Sequence, residues 1–243
     1  MALAMWQHPI CKSSPVCGNA LVSASSWTGA LEILRVLQTG WQATLVTFGA
    51  AIAACGKRWQ MALCLREDMS QAHLEVNVIS CNSVMNSCAE ESQWEMAIQL
   101  LAQIRKDKLL PTVVSQNTLL LALANGNEWQ TALDVLKQML EKDESSYNTV
   151  IDALAQVGQW EKSLCILQVM LEETVRPNRI SFNSAVNACA NDGSWLMALA
   201  LLERMEKEQL ELNAIGLSSA VTACSRGRQW AMALEVLHAV QAQ

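Results

Sequence analysis

Apolar and polar positions recur with a helical period through most of this chain, most cleanly in Arg179–Asn213. The first half of that stretch places Phe182, Val186 and Cys189 at i, i+4 and i+7. The second places Trp195, Ala198, Leu199, Leu202 and Met205 at i, i+3, i+4, i+7 and i+10. Each is a one-sided stripe of period 3.6, which predicts two amphipathic helices. Between them Asp192-Gly193-Ser194 supplies a turn and a cap for the second helix. The unit is therefore a helix hairpin, and no segment reads as a strand.

The hairpin repeats. Trp59, Trp94 and Trp129 are 35 residues apart, as are Trp160, Trp195 and Trp230; only Trp129 to Trp160 is shorter, at 31. A fixed period of this size marks a solenoid, in which each module packs on its neighbours. The copies are Leu45–Asn77, Val78–Thr112, Val113–Asp143, Glu144–Asn178, Arg179–Asn213 and an incomplete Ala214–Gln243, preceded by a degenerate copy at Pro15–Thr44. The expected organisation is one array over residues 15–243, with residues 1–14 assigned no role. Each second helix opens W-x-x-[AS]-[LI], from Trp59/Ala62/Leu63 to Trp230/Ala233/Leu234. The small residue lets helices approach closely, and the tryptophans are expected in the core. Leu45–Asn77 has lost two residues in its turn and Val113–Asp143 four before the next copy, so both should disturb the stack locally. The last copy ends in its second helix with no polar capping helix. We therefore expect either a longer protein or a protein partner at that end.

Composition narrows the function. The net charge of −6, from 17 basic and 23 acidic residues, opposes strong non-specific phosphate binding. The longest apolar run, Trp195–Leu202, is far short of a membrane span, so no membrane partner is expected. Nine cysteines and three histidines contain no C-x-x-C and no ligand spacing, so no metal or other cofactor is expected. Cys55, Cys88, Cys189 and Cys224 occupy one repeat position, which Leu123 and Leu154 fill in the other copies. That interchange marks a packing position, and unpaired thiols fit a reducing compartment. Met1–Pro15 has no arginine and only Lys12 as a base, and it lacks the apolar core of a secretory signal. There is no H-x-E with C-x-x-C of a deaminase, no P-loop and no dinucleotide turn. The chain is not read as an enzyme.

The first helix also carries a polar stripe at i, i+4 and i+8: Asn82/Asn86/Glu90, Asn117/Leu121/Asn125, Asn148/Asp152/Gln156, Asn183/Asn187/Asn191 and Ser218/Thr222/Arg226. Asparagine is a poor choice inside a helix, yet four copies lead with it. Either it is inherited by duplication or caps its own helix, or its amide meets the Watson–Crick edge of an unstacked base.

The 35-residue period, the segments Val113-Val114-Ser115-Gln116-Asn117 and Ile180-Ser181-Phe182-Asn183, the late Met69, Met139, Met170 and Met205, and the Pro111-Thr112 and Pro177-Asn178 junctions together resemble the pentatricopeptide repeat (PPR) family, in its P-type form. The resemblance covers residues 15–243. It implies an all-α, right-handed α-solenoid that binds single-stranded RNA, one base per repeat, in a mitochondrion or plastid. It implies base selection by Asn82 with Thr112, Asn117 with Asp143, Asn148 with Asn178, and Asn183 with Asn213. Ser218 would read a purine without a second residue, and Gly49/Asn77 departs from the code. The implied target is 5′-pyrimidine, U, C/U, C/U, purine-3′. Val46, Ile79, Val114, Ile180 and Ile215 match the residues that sandwich bases in the family, whereas Ser145 does not. Lys57 and Arg226 match its phosphate position, where Glu90, Asn125, Gln156 and Asn191 do not.

Stacked bases contribute on the order of 1–3 kcal/mol each, and a micromolar complex needs about 8 kcal/mol. With most phosphate contacts missing, affinity for RNA is expected to be no better than micromolar unless another factor assists. The alternative reading is a protein-binding α-solenoid scaffold in a larger assembly, with little or no RNA binding. A tetratricopeptide peptide-binder fits less well, since its period is 34.

Overall fold

The hairpin pattern becomes twelve helices in a computed structural model that describes residues 28–32, 34, 44–72, 74 and 76–241. First helices of the repeats are α1 (Leu45–Cys55), α3 (Val78–Glu90), α5 (Val113–Asn125), α7 (Glu144–Gln156), α9 (Arg179–Asp192) and α11 (Ala214–Arg226). Second helices are α2 (Trp59–Gln71), α4 (Trp94–Lys106), α6 (Trp129–Gln138), α8 (Trp160–Glu172), α10 (Trp195–Lys207) and α12 (Trp230–Gln241). Every second helix starts on its tryptophan. Residues 28–32 and 34 are also helical, with Ala30 buried, and there is no strand among the described residues. Trp27 and residues 1–14 lie outside the described part.

The chain divides into two compact units, Met1–Asn125 and Gly126–Gln243. In the first, α1, α3 and α5 stack side by side, while α2 and α4 each pack on their own first helix and on the next one. In the second, α7, α9 and α11 stack in the same way, with α8 and α10 behind them. The core of each unit lies between the layer of first helices and the layer of second helices.

Local chemistry explains the boundaries. The last residue of each repeat caps the first helix of the next. Asn77 Oδ1 accepts from Ser80 N–H at 2.8 Å, Asp143 Oδ1 from Ser146 N–H at 2.8 Å, and Asn213 Oδ1 from Gly216 N–H at 3.0 Å. Asn178 Oδ1 accepts from both Ile180 and Ser181 N–H, and Thr112 Oγ1 accepts from Ser115 N–H. The leading asparagines therefore do not cap their own helices. Helices α2, α4, α6, α8 and α10 have no side-chain cap. Ser194 holds the N-cap position of α10 without capping it, and its hydroxyl instead donates to Asp192. The turn itself sets these starts, because the residue two before the tryptophan takes a left-handed conformation. This holds for Ser92, Asn127, Gly158, Gly193 and Arg228.

Cys55, Cys88, Leu123, Leu154, Cys189 and Cys224 are all buried at the shared packing position. So are the small residues Ala62, Ala97, Ala132, Ser163 and Ala198. The tryptophans depart from expectation: Trp59, Trp94, Trp129, Trp160 and Trp195 are half-buried rather than core. Each begins its helix at the rim of a hairpin. Where a contact is resolved, it reaches the next hairpin: the Lys162 ammonium lies 3.8 Å from the Trp129 ring centre, and the Trp195 ring lies against Gly227. Trp230, with no further hairpin described beyond it, is 74% exposed.

Both irregular repeats show their deletions. Helix α1 has 11 residues where the later first helices have 13 or 14. Helix α6 stops at ten, where α8 has 13, leaving Leu140 fully exposed. The connection after α6 is tied down by Lys142 Nζ, which donates to both oxygens of Glu173 at 2.7 and 2.9 Å. The buried Tyr147 hydroxyl donates to the same carboxylate.

Candidate nucleic-acid interface

The layer of first helices is mostly apolar toward the core, so an apolar side chain left in solvent on its other face stands out. Five do so at the same repeat position: Val46, Ile79, Val114, Ile180 and Ile215 are each between 59% and 74% exposed. They sit on the first turn of their helices, one residue after the first helical position and three before the leading position of the stripe, which is polar in every case but Gly49.

In the first unit this face forms a cleft of about 650 Å³. Asn82 and Thr112 line it together with Ile79, Val114, Asn86 and Glu90. Asn82 is half-buried, and its Oδ1 is buried without a hydrogen-bond partner. A cleft of about 640 Å³ in the second unit is lined by Asp143, Ser145, Asn148, Asn178 and Ile180. The sequence-predicted pair again shares its cleft with two second-position residues, here Ser145 and Ile180.

Two pairs are bonded. Asn148 Nδ2 donates to Asn178 Oδ1 at 3.5 Å, and Asn183 Nδ2 donates to Asn213 Oδ1 at 3.1 Å. Residues 30 apart thus meet because the cap of one helix stands beside the second turn of the helix before it. Asn178 Nδ2 also donates to Glu144 Oε2 at 2.8 Å. Asn117 belongs to the first unit and Asp143 to the second, where Asp143 caps α7. Ser218 is exposed, and its hydroxyl donates to the Ile215 carbonyl at 2.9 Å.

The end of the first helix has a role that sequence reasoning missed. Asn125 Nδ2 donates to the Ala89 carbonyl at 2.8 Å, and Asn191 Nδ2 to the Ala155 carbonyl at 2.7 Å. Arg226 Nη1 reaches the Ala190 and Asn191 carbonyls and Asn191 Oδ1 at 3.2, 2.9 and 3.1 Å. Each reaches a carbonyl at the C-terminus of the preceding first helix, adding a bond from the next repeat to a helix end. Arg226, matched above to a phosphate position, thus spends one guanidinium nitrogen on a neighbouring helix end. Lys57 is exposed in the turn after α1, beside Gly56 of the first cleft. The only signal of this carbonyl lock was a recurring amide or guanidinium where the family favours lysine.

Among the described residues no three His, Cys, Asp or Glu side chains converge as a metal site. None of their helices is long and apolar enough to cross a membrane.

These repeats match known ones. The PPR repeat family profile matches residues 76–125 and 142–191, and the PPR repeat profile matches 117–143 and 180–210. Together the matches span more than half of the chain, which belongs to the pentatricopeptide repeat family. The fold is similar to the crystal structure of maize PPR10 in complex with an 18-nt psaJ RNA element, with a TM-score of 0.66 at 17% identity. That likeness covers 94% of this chain but 40% of PPR10, so the chain spans well under half of that protein. It is also similar to the PPR domain of Arabidopsis thaliana protein-only RNase P 1 in complex with tRNA. There the TM-score is 0.57 at 15% identity, over 69% of this chain and 91% of that domain. No curated protein sequence gives a significant match.

Proposed function

We propose that this chain binds single-stranded RNA along its first-helix face, one base per repeat, in mitochondrial or plastid RNA metabolism. The observation that carries the reading is the arrangement of Asn82/Thr112 and Asn148/Asn178. Each pair of polar side chains lines a cleft together with the second-position residues of two successive repeats. An exposed aliphatic there gives a base an apolar surface to stack on, while the amides between offer a donor and an acceptor to its edge. PPR10 and the RNase P PPR domain were both solved with RNA, which supports the same use of this fold. On the family pattern Asn117/Asp143 selects uridine, Asn148/Asn178 and Asn183/Asn213 a pyrimidine with cytidine preferred, Asn82/Thr112 a pyrimidine weakly, and Ser218 a purine.

Binding is weak by itself. Asn125 and Asn191 hold neighbouring carbonyls, Glu90 is acidic, and of the two bases at the phosphate position Lys57 is exposed while Arg226, also exposed, spends one guanidinium nitrogen on a helix end. This scarcity of cations favours the second reading, a scaffold that holds a protein partner. Fluorescence anisotropy with short pyrimidine-rich and purine-rich RNAs decides between them. Selective micromolar binding of the former supports RNA recognition. Equal or absent binding rejects it, and a partner retained after RNase treatment then supports the scaffold.

A further inference from the structure

Two repeats carry the same selecting pair, Asn148/Asn178 and Asn183/Asn213, yet the structure does not treat them alike. The difference comes from the third residue of the following helix. After Asn148/Asn178 that residue is Ser181, whose hydroxyl donates to Asn148 Oδ1 at 2.5 Å. The asparagine acceptor is satisfied, and the residue stays half-buried at the edge of the cleft. After Asn183/Asn213 the residue is Gly216. A Cβ added there would lie 2.5 Å from Asn183 Oδ1, so the asparagine fills the space that a side chain would occupy. Asn183 is only 8% exposed, and its Oδ1 is buried with no partner. Every other complete helix start has a buried hydroxyl at this place: Thr47, Ser80, Ser115, Ser146 and Ser181.

We infer that this third-position residue is a further specificity determinant in these two repeats: Ser181 holds Asn148 forward with its acceptor bonded, and Gly216 lets Asn183 sink out of reach of a base. The inference rests on the RNA-binding reading for its functional consequence, but its geometric half stands without RNA. Both asparagines donate to their partner 30 residues on, Asn148 over a long 3.5 Å and Asn183 at 3.1 Å, but Asn148 has its acceptor bonded to Ser181 whereas Asn183 buries its own unbonded. The two repeats therefore differ in how strongly they discriminate bases, although their selecting pairs are identical.

The test uses the full chain with G216S, G216A and S181G. RNAs differing at one position compare pyrimidine with purine opposite each repeat. Discrimination in the wild type is expected to be stronger opposite Asn148/Asn178 than opposite Asn183/Asn213, by roughly two- to tenfold, the weight of one side-chain hydrogen bond. G216S should raise the weaker site toward the stronger, and S181G should lower the stronger. G216A displaces Asn183 without supplying a hydroxyl, and separates space from hydrogen bonding. In parallel, NMR exchange of the asparagine side-chain amides should show Asn183 protected relative to Asn148 in the wild type, and released in G216S and G216A. Equal discrimination that G216S leaves unchanged overturns the inference, as does an Asn183 amide insensitive to G216S. If no RNA binds, the functional reading fails, and the amide exchange still decides whether Gly216 controls Asn183.

Discussion

Replacing Asn178 with alanine removes the acceptor for two backbone N–H groups, Ile180 at 2.9 Å and Ser181 at 3.1 Å. Loss of such a cap costs about 1 kcal/mol, within a range of roughly 0.5–2. Asn178→Asp keeps an equivalent acceptor, and its charge at the start of α9 adds about 0.3–1 kcal/mol through the helix dipole. Against that gain, Asn178 Nδ2 now donates to Glu144 at 2.8 Å. A carboxylate in its place faces a like charge, a repulsion of about 1 kcal/mol at 4 Å in water. The two effects offset, so N178D should match the wild type to within about 0.5 kcal/mol, and adding E144Q should leave it more stable than N178D alone. Urea unfolding measures the totals. Because repeats open partly independently, hydrogen exchange at Ile180 and Ser181 is the sharper readout, with faster exchange in N178A only. On the family pattern N178D also shifts the base opposite Asn148 toward uridine, so one substitution changes recognition while sparing the cap. Wild-type stability and protection in N178A would refute the reasoning, as would N178D proving as unstable as N178A.

Three further outcomes follow from the same structure. Thr174 ends α8 with φ +62°, a left-handed conformation that costs an L-residue roughly 1–2 kcal/mol; allowing for glycine's chain entropy, T174G should raise stability by about 0.5–1 kcal/mol, and a lower thermal midpoint would count against it. Hydrogen bonds from Lys142 and then Tyr147 hold the Glu173 carboxyl below its usual range, so its contribution is present above about pH 4.3 and is lost as pH falls through the lower folded value; K142M should flatten the acid limb of a stability–pH profile, and an unchanged limb rejects the clamp. Burial pushes the Cys88 thiol up to about 11 and Cys189 to about 12, so mass-mapped alkylation of native protein should modify the exposed Cys64 and Cys165 and spare Cys88 and Cys189 until urea is added.

Why some of this was legible in the sequence and some was not follows from particular residues. A hairpin that packs only on its neighbours must repeat its apolar stripe, so periodicity alone revealed α9 and α10 and, by translation, the rest. Deletions are visible as arithmetic, and the four residues missing before Asp143 reappear as a shortened α6. The rim position of the tryptophans was not legible, because a large apolar ring at a helical period reads as core whether it faces its own hairpin or the next. Nor could the sequence show that Asn178 is a cap: the acceptor and the N–H groups it satisfies are close in the chain, but an asparagine between proline and arginine fits a turn equally well.

What the sequence by itself determined was the hairpin and its polar stripe, since these depend on the order of residues along one helix. What only the tertiary structure decided was which stripe residues are available to a ligand. Asn148 and Asn183 have the same neighbours in the pattern and the same partner 30 residues on, yet one is held at a cleft and the other is buried against Gly216. That outcome depends on the side chain a following helix places against the amide, and on carbonyls that Asn125, Asn191 and Arg226 reach about 36 residues back. Contacts between repeats are set by stacking, and stacking is a property of the folded array.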